Sequence, residues 1–356
     1  MSITQHNTGT TPVRAGFEFD IAALLRWMTG RIAGFSGPVE IAQFRGGQSN
    51  PTFRLTTPSG QYVLRRKPPG VLLKGAHAVE REARVMQALG AQGFPVPHVH
   101  AVCEDTSIIG SPFFVMDYVE GRIFWDPALP EVPRTERAAY YDAMNVTLAA
   151  LHGLDPIACG LGDFGNPGQY VARQLSRWSK QYLEDPDAGR DPYIDRLIAW
   201  LPTALPPDDG AIAVIHGDFR CDNMVFHPRE PRVIAVLDWE LSTLGHPLAD
   251  FAYHAMMYRL PPSLVTGLGG IDTGALGIPS EADYVAAYAR RSGRQALEHY
   301  EFYLAFNLFR LAAIFHGIKG RGLRGSAASA QAAERIAVLP ELARLAWTQA
   351  EAAGAT

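Results

Sequence analysis

The 356-residue sequence predicts an α+β fold of two lobes, a small β-rich lobe followed by a larger, mainly helical lobe. Short β-like runs fill much of the first third of the chain, and helical spacing of apolar residues dominates the rest. A polar segment that ends in glycine, residues 117–121, separates these patterns and is predicted to be a hinge. The predicted divisions are a disordered tail over 1–16, an N-lobe over 17–117 and a C-lobe over 118–356.

The N-lobe is predicted to contain a short helix, three strands, a longer helix and two further strands. The turn Pro58-Ser59-Gly60 favours a hairpin between the second and third strands, and Gly90 ends the longer helix. The predicted strands are Val39–Phe44, Thr52–Thr56, Tyr62–Arg66, Val99–Cys103 and Phe113–Met116, and the predicted helices are Phe17–Trp27 and His77–Leu89.

The C-lobe is predicted to be helical, apart from two short strands near Met224–Phe226 and Val233–Leu237. Loops rich in proline and glycine break the helical pattern. The predicted helices are Thr135–Leu151, Gln169–Tyr182, Pro192–Trp200, Pro247–Tyr258, Ala282–Arg291, Gln295–Phe315 and Ala328–Glu351.

Composition narrows the class of protein. Charged residues make up 19% and the formal net charge is −4, so nothing indicates a nucleic-acid or membrane partner. The three cysteines, Cys103, Cys159 and Cys221, form no Cys-x-x-Cys pair, and no disulfide framework or structural zinc site is indicated. No apolar run reaches the ~18 residues of a membrane span, and no signal-peptide pattern is visible. A cytoplasmic enzyme of unspecified oligomeric state is expected.

The most informative segment runs from His216 to Asn223, between an apolar, strand-like run that ends at Ile215 and the predicted strand Met224–Phe226. Asp218 and Asn223 lie five positions apart, as do the Asp and Asn of the kinase catalytic loop. In that loop the Asp accepts the proton of the substrate hydroxyl and the Asn binds magnesium. Asp238 follows the next strand and supplies a second carboxylate, and such oxygen ligands suit Mg²⁺. Singly, each residue is more simply a turn residue; together they favour phosphoryl transfer from ATP.

The N-lobe should supply a cation for the phosphates and a carboxylate partner. Arg65 and Lys67 share one face of the third strand because side chains alternate, and Glu82 in the following helix is the preferred partner. The choice between Arg65 and Lys67 stays open. The segment Gly46–Asn50 could cover the phosphates with backbone amides, which makes Gly47 and Ser49 nucleotide-binding candidates.

These motifs resemble those of the aminoglycoside phosphotransferase family, which shares the protein-kinase-like fold with choline kinases. The resemblance covers Gly46 to about Tyr258. It rests on His216-Gly-Asp218-x4-Asn223, Asp238, Val79-Glu-Arg-Glu82, Phe94-Pro-Val-Pro97 and Phe114-Val-Met-Asp-Tyr-Val-Glu-Gly121.

The resemblance implies Asp218 as catalytic base, and Asn223 and Asp238 as magnesium ligands. It further implies that Glu82 pairs with the third-strand cation. Two other residues would support the catalytic loop, and the hinge backbone would bind adenine. The supporting residues are His216 and Asp250, and the adenine-binding residues are Met116, Tyr118 and Val119.

Two departures from the family pattern stand out. Arg65 occupies the place where the antibiotic-modifying members have Lys, and a guanidinium is a rigid fork rather than a point charge. Asp238-Trp239-Glu240 lacks the glycine of the protein-kinase Asp-Phe-Gly. The sequence therefore looks like the small-molecule branch of these kinases.

The acceptor is predicted from charge. From Arg310 to Arg324 the sequence carries four positive charges and no acidic residue, which suits an anion; an ordinary solvated helix end explains the pattern equally well. This stretch is similar to the kinase-like domain fused to acyl-CoA dehydrogenases, which implies a hydroxy acid or hydroxyacyl-CoA. Alternatives are an aminoglycoside or amino-alcohol kinase and a nucleotide-binding pseudokinase. The acceptor-binding candidates are Arg310, Lys319, Arg321 and Arg324.

Overall fold

The computed structural model describes residues 8–46, 50–68, 77–324 and 330–356. The loop candidates Gly47 and Ser49 lie outside the described residues. The strands are β1 (Thr10–Thr11), β2 (Glu40–Phe44), β3 (Thr52–Thr57), β4 (Gly60–Arg66), β5 (Val99–Cys103), β6 (Phe113–Asp117), β7 (Ala213–Ile215), β8 (Met224–Phe226), β9 (Val233–Val236) and β10 (Thr243–Gly245).

Most helices lie in the second half of the chain. Three short 3₁₀ turns, Cys221–Asn223, Trp239–Leu241 and Met256–Tyr258, accompany them. The helices are α1 (Ile21–Met28), α2 (Val79–Ala91), α3 (Thr106–Ile109), α4 (Arg137–His152), α5 (Tyr170–Leu183), α6 (Pro192–Trp200), α7 (Pro247–Ala255), α8 (Thr273–Leu276), α9 (Glu281–Arg291), α10 (Tyr300–Leu323) and α11 (Ala330–Ala352).

The chain forms two compact units. The predicted lobe boundary at residues 117 and 118 falls within the first, which also takes in a later hairpin. Unit 1 comprises Met1–Leu129, Cys159–Leu161 and Arg220–Ser242, and unit 2 comprises Pro130–Ala158, Gly162–Phe219 and Thr243–Thr356.

Unit 1 is built on a six-stranded antiparallel sheet with the strand order β1-β2-β3-β4-β6-β5. Residues alternate along β3, so Phe53 and Leu55 are buried while their neighbours are partly exposed. These side chains pack with Leu24 and Met28 of α1 in one apolar cluster. Helix α2 lies along β5 and β6. The charged residues predicted for the nucleotide therefore lie on a sheet with a well-packed core.

The two-residue strand β1 lies inside the range predicted as a disordered tail. Thr10 and Thr11 pair with Phe44 and Gln43 of β2. Gln43 is buried, and its side-chain oxygen accepts a hydrogen bond from the Arg14 amide at 2.9 Å. The polar, glycine-rich composition indicated a tail, but these tertiary contacts order the segment from residue 8 onward.

A β8–β9 hairpin completes unit 1. The Val236 amide donates to the Pro95 carbonyl at 2.9 Å, and Arg122 forms a backbone bridge with Phe226. A Cβ atom at Gly121 would lie 2.5 Å from Val225 Cγ1 and would also meet the Phe226 carbonyl. Only glycine fits this approach, which explains the glycine that marks the end of the predicted hinge.

Unit 2 is mainly helical, with β7 and β10 paired antiparallel. Its central helix, α10, packs against α5, α7 and α11. This helix was predicted to end at Phe315 but continues to Leu323 through three glycines. A Cβ at Gly317 would lie 2.6 Å from Gln181 Nε2, and one at Gly320 would meet the Asp185 carboxylate. These glycines permit close packing rather than ending the helix.

Candidate active site

The predicted catalytic loop leaves β7 in unit 2 and is held by Asp250. The Asp250 carboxylate accepts the His216 amide at 2.7 Å and the Gly217 amide at 2.8 Å. Helix α7 places this side chain because His246 caps the helix, Pro247 begins it and Asp250 lies in its first turn. Asp250 therefore braces the loop.

Two further groups fix the same segment. His216 is fully buried, and its Nδ1 accepts the Asp218 amide at 3.2 Å. His152 Nε2 lies 3.2 Å from the Asp250 carboxylate, while its Nδ1 lies 2.6 Å from the Tyr288 hydroxyl. Burial acts to raise the pKa of Asp250, but hydrogen bonds and charges from His152 and His216 bring that pKa below its ordinary value. The brace is therefore an ionised carboxylate.

Helix α7 contributes two more side chains, Tyr253 and His254, on the face that carries Asp250. The Tyr253 hydroxyl donates to Asp218 Oδ1 at 2.5 Å, and His254 Nδ1 lies 3.0 Å from the Phe219 carbonyl. Positions three and four residues apart share a helix face, so the spacing 250, 253 and 254 aims all three at one loop.

The protonation of His254 follows from its surroundings. Burial lowers the pKa of His254 to about 4, so the ring is neutral near pH 7. Nδ1 then carries the hydrogen that Phe219 accepts, and Nε2 accepts from the Tyr284 hydroxyl at 2.6 Å. The hydrogen-bond network thus selects one tautomer of a neutral histidine.

Arg310 of α10 approaches the loop from another element. It is buried, and its Nη2 donates to the Gly217 carbonyl at 2.9 Å. Its guanidinium carbon lies 5.0 Å from the centre of the Tyr253 ring. Gly217 has a φ of 83°, which favours glycine, and this turn presents both its amide and its carbonyl to partners. From 216 to 219, each residue is therefore held by a named side chain.

In unit 1 the predicted cation is buried among carboxylates. Arg65 Nε lies 2.7 Å from Glu82 Oε2, and Arg65 Nη2 lies 2.5 Å from Asp238 Oδ1. Lys67 instead pairs with Glu80 at 2.9 Å, in a more exposed position. The geometry distinguishes the two cations that the sequence left open, because Arg65 is the one joined to both Glu82 and Asp238.

The charges of this cluster reinforce each other. Burial acts to lower the pKa of Arg65, but Glu82, Asp238 and Glu240 outweigh it and bring that pKa above its ordinary value. Burial raises the pKa of Glu82 to about 7, with Arg65 opposing the change. Glu82 also accepts the Trp239 amide at 3.3 Å. The strand cation, the helix carboxylate and the segment after β9 therefore form one network.

Asn223 and Asp238 lie at the same end of the β8–β9 hairpin. Met224 pairs with Val236, and the Leu237 amide donates to the Asn223 carbonyl at 2.8 Å. Asp238 has a φ of 63°, a left-handed conformation that Asp tolerates better than most residues. The hairpin thus explains why two residues fifteen positions apart come together.

This pair fits a magnesium ion. Mg²⁺ commonly takes one or two protein oxygens and completes its shell with water and phosphate. Asp238 offers a carboxylate whose side chain is 28% exposed, and the partly buried Asn223 offers an amide oxygen. No cluster of three or more His, Cys, Asp or Glu side chains suited to a metal occurs in the described part of the chain. A carboxylate–amide pair is therefore consistent with an ion shared with a nucleotide.

The predicted adenine-binding segment follows β6. Met116 is buried and pairs with Val63, and the Asp117 amide donates to the His98 carbonyl at 2.9 Å. Tyr118 and Val119 come directly after the strand and are partly buried. The segment therefore presents backbone groups at the end of an ordered strand.

The four cations between Arg310 and Arg324 do not form one group. Arg310 is buried against the catalytic loop, while Arg324 is bound by Asp185 at 2.8 Å and Asp187 at 2.9 Å. At 1.5 Å per residue, about 20 Å of helix separates these two arginines. Lys319 is partly buried and Arg321 is exposed.

Sequence reasoning missed Tyr253, His254 and His152 as partners of the loop. The contact of the Tyr253 hydroxyl with Asp218 has no local signature in the sequence. The spacing of Tyr253 and His254 after Asp250 is the one signal that could have indicated them.

Among the residues that the structure describes, no helix combines the length and apolarity needed to cross a bilayer.

The model of the phosphotransferase enzyme family matches residues 40–306. The chain belongs to this family. It is 44% identical over 341 residues to acyl-CoA dehydrogenase family member 10 of Mus musculus, covering 95% of this chain but 32% of the mouse protein. The chain therefore spans about a third of that relative's length.

Solved structures agree with this membership. One solved structure is that of a protein from Ralstonia eutropha JMP134, which is provisionally assigned as an aminoglycoside phosphotransferase. This chain is 47% identical to it with a TM-score of 0.86, and the match covers 94% of this chain and 99% of the Ralstonia chain. Spectinomycin phosphotransferase APH(9)-Ia, solved with ADP and spectinomycin, is 12% identical with a TM-score of 0.60, over 94% and 99% of the chains. The predicted α+β, protein-kinase-like fold and the family resemblance are confirmed.

Proposed function

We propose that this family member moves the γ-phosphate of ATP to the hydroxyl of a small molecule, with Asp218 as catalytic base. The observation that carries the proposal is the fixed loop, in which Asp218 is held by Tyr253 while its neighbours are held by Asp250, His254 and Arg310. Phosphoryl transfer depends mainly on positioning and charge stabilisation, and a carboxylate held in one orientation suits that task.

The nucleotide is assigned to unit 1. Arg65, kept in place by Glu82, would contact its phosphates, and the backbone of Met116, Tyr118 and Val119 would bind adenine. Gly47 and Ser49 remain candidates from the sequence alone. The ADP bound by spectinomycin phosphotransferase supports an adenine nucleotide for a fold of this kind.

Asn223 and Asp238 would hold Mg²⁺. When bound, the ion would neutralise phosphate charge during transfer. Arg65 bridges Glu82 and Asp238, so the protein's own cation would keep the proposed metal-binding carboxylate oriented.

The proposed acceptor is an anionic alcohol, either a hydroxy acid or a hydroxyacyl-CoA. Similarity over 95% of the chain to a protein named for acyl-CoA dehydrogenase supports this class, and Lys319 and Arg321 supply positive charge on α10. We further propose a cytoplasmic location.

The test is acceptor-dependent ADP release with magnesium present, measured across hydroxy acids, hydroxyacyl-CoAs, amino alcohols and aminoglycosides. The proposal predicts turnover with the anionic alcohols. Turnover with aminoglycosides or amino alcohols would overturn the acceptor class. ATP binding without transfer to any acceptor would instead favour a pseudokinase.

The base is tested by Asp218→Asn, which should abolish ADP release while leaving the melting temperature close to wild type. Asp222→Asn is the matched control, because Asp222 lies in the same loop but is bound to Arg220. Retained turnover in Asp218→Asn would contradict the assignment of the base. Arg321→Ala should raise the acceptor KM and leave the ATP KM unchanged.

A further inference from the structure

We infer that Tyr253 is a positioning residue for phosphoryl transfer: its hydroxyl orients the Asp218 carboxylate, and Arg310 strengthens and fixes that hydroxyl. The inference rests on the proposed function of Asp218. It gives Tyr253 a role beyond core packing, and it places Arg310 behind the loop instead of at the acceptor.

The first observation is the contact itself. Tyr253 Oη lies 2.5 Å from Asp218 Oδ1, at the short end of the range for a hydroxyl donating to a carboxylate. Tyr253 is 7% exposed, so its ring is held by packing. Asp250, in the same helix α7, is hydrogen-bonded to the loop that carries Asp218. A rigid donor on one carboxylate oxygen restricts rotation of the Asp218 side chain.

The second observation is the buried guanidinium beside the phenol. Arg310 lies 5.0 Å from the Tyr253 ring centre and donates to the Gly217 carbonyl at 2.9 Å. Among the described residues its Nε has no hydrogen-bond partner and no carboxylate lies within ion-pair distance. A cation on the ring face is attracted by the aromatic quadrupole and draws electron density from the phenol, which makes its hydroxyl a stronger donor.

The hydrogen bond from Tyr253 holds the Asp218 carboxylate in one orientation. The transition state of phosphoryl transfer is loose, so little proton transfer is needed from a strong base, whereas the acceptor hydroxyl must be aimed. Losing the Tyr253 hydroxyl should therefore slow phosphoryl transfer.

The kinetic test is Tyr253→Phe, assayed by acceptor-dependent ADP release. We expect kcat to fall by roughly 10- to 100-fold, as for loss of a hydrogen bond to a charged group, with the ATP KM unchanged. Tyr258→Phe is the matched control: Tyr258 is 8% exposed and its hydroxyl donates to the Pro279 carbonyl at 3.1 Å.

Arg310→Met separates the two roles open to this arginine. Positioning predicts a lower kcat with little change in the acceptor KM. A higher acceptor KM with unchanged kcat would instead return Arg310 to acceptor binding and overturn its place in this inference. An unchanged kcat in Tyr253→Phe, or one no lower than in Tyr258→Phe, would overturn the role of Tyr253.

A stability measurement keeps the inference testable if no acceptor is turned over. Asp218→Ala, Tyr253→Phe and the double variant are melted together. If the hydroxyl holds the carboxylate, the double variant loses less melting temperature than the sum of the single variants. Additive losses would refute the contact, whereas absence of turnover in wild type with non-additive losses would count against the proposed function alone.

Discussion

Replacing Arg65 with Met should destabilise the protein far more than replacing its neighbour Lys67. The Arg65 side chain is 8% exposed and that of Glu82 is 2% exposed, so the substitution leaves a buried carboxylate without its cation. Breaking a buried ion pair by removing one partner costs about 3–5 kcal/mol. Spread over a unit of this size, that loss lowers Tm by roughly 10 °C.

The assay is thermal and urea unfolding of the two variants at pH 6 and pH 8. Lys67 and Glu80 have side chains that are 21% and 35% exposed, so Lys67→Met should cost at most about 1 kcal/mol. In Arg65→Met the arginine no longer opposes the burial that raises the pKa of Glu82, which is already about 7 with Arg65 present. The folded variant therefore binds a proton that the unfolded chain releases, and its stability falls as pH rises from 6 to 8.

A double variant separates stability from activity. Arg65→Met with Glu82→Leu removes both charges, and replacing a buried pair by apolar groups is close to neutral for stability. We expect the double variant to melt near wild type and to lack phosphoryl transfer. Equal losses for Arg65→Met and Lys67→Met, or no recovery in the double variant, would refute the buried-pair reasoning.

Two further predictions concern unit 2. Buried His254, with a pKa of about 4, does not bind the proton that it binds in the unfolded chain between pH 6.5 and 4, and this difference lowers the unfolding free energy of wild type by about 3 kcal/mol over that range. His254→Gln should remove this contribution; an unchanged pH dependence of the unfolding free energy, measured by urea denaturation at several pH values, would contradict the prediction. Gly245→Ala should lower the free energy of unfolding by about 1–3 kcal/mol, because the added Cβ would lie 2.7 Å from Ile215 Cδ1 and 3.0 Å from Tyr170 Cδ2. The control is Gly162→Ala, whose Cβ would lie 3.5 Å from Ile157 Cγ1, an ordinary contact, and which should therefore melt near wild type.

The parts of the site that the sequence could predict depend on local spacing. Asp218 and Asn223 are five residues apart on a loop between two strands, and Asp238 directly follows the next strand pattern. Strand alternation limited the cation to Arg65 or Lys67. Such features need no knowledge of distant contacts, because chain geometry over a few residues fixes them.

The parts that the sequence could not predict depend on which distant elements meet. The contact between Tyr253 and Asp218 joins residues 35 positions apart, and Arg310 reaches Gly217 across 93 positions. The length of α10 was missed for the same reason. Gly317 and Gly320 break a helix on propensity alone, but close packing against α5 and the loop after it reverses that preference.

The structure also changes the argument for an anionic acceptor. Counting charges from Arg310 to Arg324 treats every cation as available, yet Arg324 is bound to Asp185 and Asp187. Arg310 is committed to the Gly217 carbonyl and the Tyr253 ring. Because Arg310 and Arg324 are bound by groups of the protein itself, this stretch offers an acceptor less positive charge than its sequence suggests. The other two cations of this stretch, Lys319 and Arg321, lie on opposite faces of the helix because two positions advance it by about 200°. A single acceptor group would meet one of them, which makes Arg321→Ala and Lys319→Ala separate tests rather than one.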